Sequence, residues 1–199
     1  DHLDEVVGLS VMALDAEAEV LAQEGDASAA LQIIQTMEAR YPKYLLHPEF
    51  DEVRRRSRGR RAFFLTALDR WKEAIPLFEH ALFADEQLGE AAHYLGYCYY
   101  RGGDYVKARG KLVEALSIGV PVKTLPRTHY TLALAEYHLG NMKAAKEHLE
   151  LCAKTGTPEY LAKTQIWQGL EATSRALGLP AEADEYHKRW ATPSSGKIN

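Results

Sequence analysis

Five alanines, Ala30, Ala74, Ala108, Ala145 and Ala183, constrain the fold more than any other feature of this 199-residue chain. Each stands five residues after a turn-forming residue, respectively Gly25, Asp69, Gly103, Gly140 and Gly178, and each follows an apolar segment of helical period. The spacings between them are 44, 34, 37 and 38 residues. A helix–turn–helix unit recurring at that period predicts an all-α fold, an α-solenoid of antiparallel helix pairs in which each pair completes its core on its neighbours.

Other positions keep step with the alanines. Twelve residues before the first four stand Ala18, Ala62, Gly96 and Ala133, all small; four residues after them stand Ile34, Phe78, Leu112 and Leu149, all large and apolar. Seven residues after them stand Met37, Ala81, Ala115 and Cys152. Small residues at one offset let two helices cross closely, and large ones at the next fill the space beside the crossing. The expected units span about residues 8–42, 50–86, 89–120, 126–157 and 164–191, forming one array over 1–191, with a flexible C-terminal tail over 192–199.

The third unit, GEAAHYLGYCYYRGGDYVKARGKLVEALSIG, carries Leu95-Gly96, Tyr99-Tyr100, Gly103-Asp104-Tyr105, Ala108, Leu112, Ala115 and Leu116. It resembles the tetratricopeptide repeat, and the resemblance extends over roughly residues 8 to 191. It implies a right-handed superhelix of about five repeats whose first helices line a concave binding surface. Two units depart from the pattern. The fifth has Glu171 for the small residue, His187 for the large aliphatic one and Trp190 for a small one, which reads as a polar terminal cap. The second has Arg58 and Arg61 at usually apolar places and about ten extra residues before it, YPKYLLHPEF. There the preceding helix is expected to end near Pro42 and a new one to start close to Pro48. Pro121, Pro126 and Pro158 mark longer linkers before units four and five.

If the first helices line the groove, its stripe runs at i, i+3, i+7 and i+10 of each. In the middle units these are Arg56, Gly59, Phe63 and Thr66; Glu90, His93, Tyr97 and Tyr100; and Arg127, Tyr130, Leu134 and Tyr137. Arg60, Arg101 and His138 lie at its edge. The candidate groove is therefore Arg56, Arg60, Phe63, His93, Tyr97, Tyr100, Arg101, Tyr130, Tyr137 and His138. Tyrosine offers rigid area with a polar tip, and arginine offers forked donors for carboxylates. The mixture suits an extended peptide or partner helix with acidic or aromatic side chains. The plainer reading is that some of the tyrosines pack between adjacent helices. One branch of the resembled family clamps the carboxylates of chaperone tails with asparagines on this face; Phe63 and Tyr97 occupy those places here, so that specificity does not transfer.

The basic run Arg54, Arg55, Arg56, Arg58, Arg60 and Arg61 has a counterweight, since residues 1 to 26 hold eight acidic residues and no lysine or arginine. Stacked first helices would bring Asp15 and Glu19 to Arg56 and Arg60, and ion pairing is the expected use of the run. A net charge of −4 and the lack of a reading motif argue against nucleic acid. The sequence has no H-E-x-x-H, Walker loop, G-x-S-x-G or dinucleotide glycine motif, so the chain reads as non-catalytic and without a cofactor. His148 and Cys152 stand at i, i+4 but lack a third ligand, so no metal is expected. Cys98 and Cys152 read as buried free thiols, which favours a reducing, cytoplasmic setting. The first residue is Asp and not Met, and a removed leader would leave the same sequence. No apolar run reaches the length of a transmembrane helix. The expected function is protein–protein interaction through the concave groove; the alternatives are a self-associating scaffold, with a homo-oligomer as its form, and a regulatory domain of a larger protein.

Overall fold

A computed structural model describes residues 2–46, 48, 51–80, 85–156 and 163–191. Ala81, Pro158, the expected opening of unit two at residue 50 and the tail 192–199 lie outside them. Among the described residues the regular elements are helices: α1 (His2–Gln23), α2 (Ala27–Arg40), the single turn α3 (Pro42–Leu45), α4 (Asp51–Ala67), α5 (Trp71–His80), α6 (Asp85–Arg101), α7 (Tyr105–Ile118), α8 (Leu125–His138), α9 (Met142–Thr155), α10 (Lys163–Ala176) and α11 (Pro180–Ala191). The ten longer helices form sequential antiparallel pairs, and the second helix of each pair packs on the first helix of the next.

Each pair is turned by the same backbone device. Gly25, Asp69, Gly103, Gly140 and Gly178 all have positive φ, from 60° at Asp69 to 88° at Gly25. At each turn two backbone bonds close the helix end, as where Gly103 N–H donates to the Tyr100 carbonyl and Asp104 N–H to that of Tyr99, both at 3.0 Å. Asp69 is the one non-glycine among the described residues with positive φ. The residue after the turn then starts the second helix: the Asp26 and Asp104 carboxylates accept from the N–H groups of Ala29 and Lys107.

All five marker alanines are fully buried. The close crossing is sharpest in the third pair, where a Cβ on Gly96 would lie 2.7 Å from Leu112 Cγ and 3.2 Å from the Ala108 carbonyl oxygen. Ile34, Met37, Leu112, Ala115 and Cys152 are fully buried, as the repeat offsets require. The three odd residues of the last pair explain one another. Glu171 accepts from the Trp190 indole N–H at 2.7 Å and is bonded to His187 Nδ1 at 3.1 Å, while Arg175 pairs with it at 3.0 Å. Those hydrogen bonds, Trp190's foremost, hold the Glu171 carboxyl below the usual carboxylate range.

At the junction before the second pair α2 ends at Arg40, Pro42 opens the short α3, and α4 is described from Asp51, close to Pro48. Proline suits the first turn of a helix because its missing N–H would have no partner there anyway.

Candidate functional site

The first helices α1, α4, α6 and α8 are joined by side-chain hydrogen bonds. Ser57 on α4 donates to Asp15 Oδ1 on α1 at 3.1 Å, and Thr128 on α8 is bonded to His93 Nδ1 on α6 at 3.0 Å. The two bonds occupy equivalent repeat positions: Asp15 and His93 stand fifteen residues before their marker alanines, and Ser57 and Thr128 seventeen. At the junction between them Gly59 and Ala91 hold these positions, and Thr66 Oγ1 meets Cys98 Sγ at 3.4 Å nearby.

His93 is thus built into the helix packing. Burial pulls its pKa down to about 3, with the Arg127 charge adding to the effect, so it stands neutral at physiological pH. Arg60 is similarly committed, pairing with Asp15 at 2.8 Å and Glu19 at 2.7 Å, and Arg56 approaches Asp15 at 3.9 Å. The basic run of α4 is largely answered by carboxylates: Arg54 and Arg55 pair with Asp51, and Arg61 reaches Glu38 on α2 at 2.8 Å.

A cavity of about 450 Å³ opens between these helices, within the range of small-ligand and side-chain pockets. Its aromatic wall is Phe63, Phe64, Tyr94 and Tyr97, its small polar groups include Thr66 and Thr131, and His93 contributes at the side. Arg127 is the one arginine or lysine in the lining. Phe63 meets Tyr94 edge to face, 5.2 Å between centroids at 84°. Arg127 is hydrogen-bonded to the Tyr94 hydroxyl, while burial, the largest cause, raises that phenol's pKa. At the rim Arg101 donates to the Tyr97 hydroxyl at 3.0 Å, lies over its ring at 5.9 Å and pairs with Asp69 at 2.6 Å.

The ten candidate groove residues therefore separate. Phe63, His93 and Tyr97 line the cavity, with Arg101 at its edge. Tyr100, Tyr137 and His138 gather elsewhere, at the tip of pairs three and four, where His138 stacks on Tyr105 at 4.3 Å. Tyr130 is half-buried against the core of the last two pairs, beside Ala133, Leu149 and Ile166. Arg56 and Arg60 belong to the ion-pair lattice between α1 and α4. Tyr94 and Thr131, which complete the cavity wall, stand one position round the helix from the stripe residues His93 and Tyr130, and their small offset hides them in the sequence.

His129 and His148 form a second histidine cluster between α8 and α9, Nδ1 to Nδ1 at 3.3 Å. Burial is the first cause lowering both pKa values. No group of three or more potential metal ligands occurs among the described residues. No described helix is long and apolar enough to cross a membrane.

Comparison with known proteins places this geometry among helical repeats. Residues 67–152 match the family described as anaphase-promoting complex, cyclosome, subunit 3. No curated protein matches the chain. Among solved structures it is similar to MamA AMB-1 (TM-score 0.72, 14% identity, covering 96% of each chain) and to MamA 41-end from Desulfovibrio magneticus RS-1 (TM-score 0.70, 15% identity, covering 95% of this chain and 97% of that one). It is also similar to a Podosopora anserina putative kinesin light chain with nearly identical TPR-like repeats (TM-score 0.62, 21% identity, covering 92% and 93%).

Proposed function

For this TPR-like helical-repeat chain, we propose that the concave cavity binds a segment of a partner protein bearing an acidic group beside a large apolar or aromatic side chain. TPR domains are generally protein–protein interaction modules. The observation that carries the finer reading is the lining itself: the four aromatic rings of Phe63, Phe64, Tyr94 and Tyr97 together with the Arg127 guanidinium. An aromatic side chain fills the space between Phe63, Tyr94 and Tyr97, and a carboxylate meets Arg127 in a setting where charge-assisted hydrogen bonds are strong. The chemistry asked of the site is recognition and not bond making, so we read the chain as a non-catalytic adaptor without a cofactor.

The test uses fluorescein-labelled peptides selected from a random display library on the 199-residue chain, with anisotropy as the readout. The selected peptides are expected to carry Asp or Glu next to Phe, Trp or Leu. Arg127→Ala and Tyr97→Ala are each expected to weaken binding about tenfold, the scale of one charge-assisted bond or one aromatic contact. Circular dichroism should show both variants folded. Selected peptides without acidic residues, or binding indifferent to Arg127→Ala, would overturn the reading.

A further inference from the structure

α1 has two apolar faces, and the fold uses one. Val11 and Ala18 are fully buried on the face it turns to the rest of the chain. The other face carries Leu9, Ala13, Ala16 and Val20 at i, i+4, i+7 and i+11, one continuous helical stripe. It is open to solvent: Leu9 is 63% exposed and Val20 53%, with Met12 beside them at 60%. Single exposed apolar residues are ordinary, but a stripe of this length on one helix is a surface built for contact.

The repeat itself shows what such a stripe receives. Ala13 stands seventeen residues before its marker alanine; the same position in the other first helices is Ser57, Ala91, Thr128 and Ile166, all buried. Val20 stands ten before it, equivalent to Phe64, Cys98, Ala135 and Thr173, all buried as well. In those four pairs the first helix lies against the second helix of the preceding pair. Among the described residues, no helix lies on the same face of α1.

Charge then selects the occupant. Glu17 and Glu24 border one side of the stripe and Glu19 the other, and residues 1 to 26 contain no lysine or arginine. Two copies meeting through this face would set carboxylates against carboxylates. Head-to-tail stacking fails for another reason: the exposed positions of α11 include Asp184, Glu185, Lys188 and Arg189, and they offer no apolar stripe. We infer that the outer face of α1 docks an amphipathic helix of a partner protein, one whose apolar stripe is flanked by lysine or arginine. The docked helix takes the place that a preceding second helix holds in the rest of the array. This surface is separate from the concave cavity and does not depend on the proposal made for it.

The probe is a labelled 21-residue synthetic helix with leucine and alanine at i, i+4, i+7 and i+11 and lysines on both flanks, compared with its glutamate-flanked counterpart. The lysine peptide is expected to bind and the glutamate peptide not to. Leu9→Glu should weaken binding at least tenfold while leaving helicity and Tm unchanged, since Leu9 packs outward. Glu17→Lys with Glu24→Lys should reverse the preference between the peptides. Equal binding of the two peptides, or equal binding by Leu9→Glu, would overturn the inference. So would light scattering that shows a wild-type dimer dissolved by Leu9→Glu, which would make a second copy the occupant.

Discussion

Gly89→Ala is expected to cost about 3 kcal/mol of unfolding free energy, near the top of the range for overpacking. A Cβ placed on Gly89, early in α6, would lie 1.7 Å from the Gly119 carbonyl oxygen and 2.8 Å from its carbonyl carbon. The obstacle is the backbone that ends α7, so no side-chain rotation relieves it. Either the end of α7 or the start of α6 has to move, and α6 carries the cavity residues Tyr94 and Tyr97. The control is Gly110→Ala on α7, where an added Cβ meets nothing within 4 Å. That substitution should stabilise the chain by up to about 1 kcal/mol through helix propensity alone. Urea denaturation followed by circular dichroism gives both numbers. If the two alanines act with the same sign, the α6–α7 approach is not the tight contact described.

The second large effect is acid sensitivity centred on His93. With its folded-state pKa near 3, His93 binds its proton more weakly in the native chain than in the unfolded one, where the value is about 6.5. The resulting stability is fully present above pH 6.5 and declines as pH falls towards 3. The loss is about 1.4 kcal/mol for each pH unit over that window. His129 and His148, whose values are also lowered by burial, act in the same direction over a narrower window. Arg127 opposes protonation of His93 from across the junction, and Thr128 holds the ring by its hydrogen bond. His93→Asn, whose amide can serve as donor or acceptor to Thr128, should keep the packing and remove about 1.4 kcal/mol of the loss between pH 7.5 and 5.5. Denaturant midpoints at the two pH values decide it; an unchanged pH slope in the asparagine variant would mean that His93 is not the group responsible.

The fold was legible because its determinants are local and repeated. A small residue, a turn residue and a large apolar residue at fixed offsets specify where two helices cross, whichever neighbours they have. The cavity was less legible, because it depends on how whole helices rotate about their axes. The stripe at i, i+3, i+7 and i+10 reaches Phe63, Tyr97 and Arg127 but omits Tyr94 and Thr131, which stand about 100° round the helix from His93 and Tyr130 and still line the wall. His93 shows the converse. Its position on the stripe suggests a ligand contact, yet it takes the repeat place of Asp15 and bonds a hydroxyl on the next helix. Pairwise chemistry between residues 35 apart is invisible until the repeats are superposed. Gly89 carries no signal at all in its residue type, since a backbone-to-backbone approach leaves no partner side chain to recognise.

The hydrogen bonds Ser57–Asp15 and Thr128–His93 also bear on the thermodynamics of recognition. Apolar helix contacts allow neighbouring helices to roll and slide, whereas a buried, directional bond fixes the angle at which one helix faces the next. The proposed binding surface, pinned in this way at its first and third junctions, is preorganised, and a ligand need not spend binding energy on ordering it. Association should then proceed as rigid docking, with specificity set by shape before contact and with little adaptation to differently sized partners.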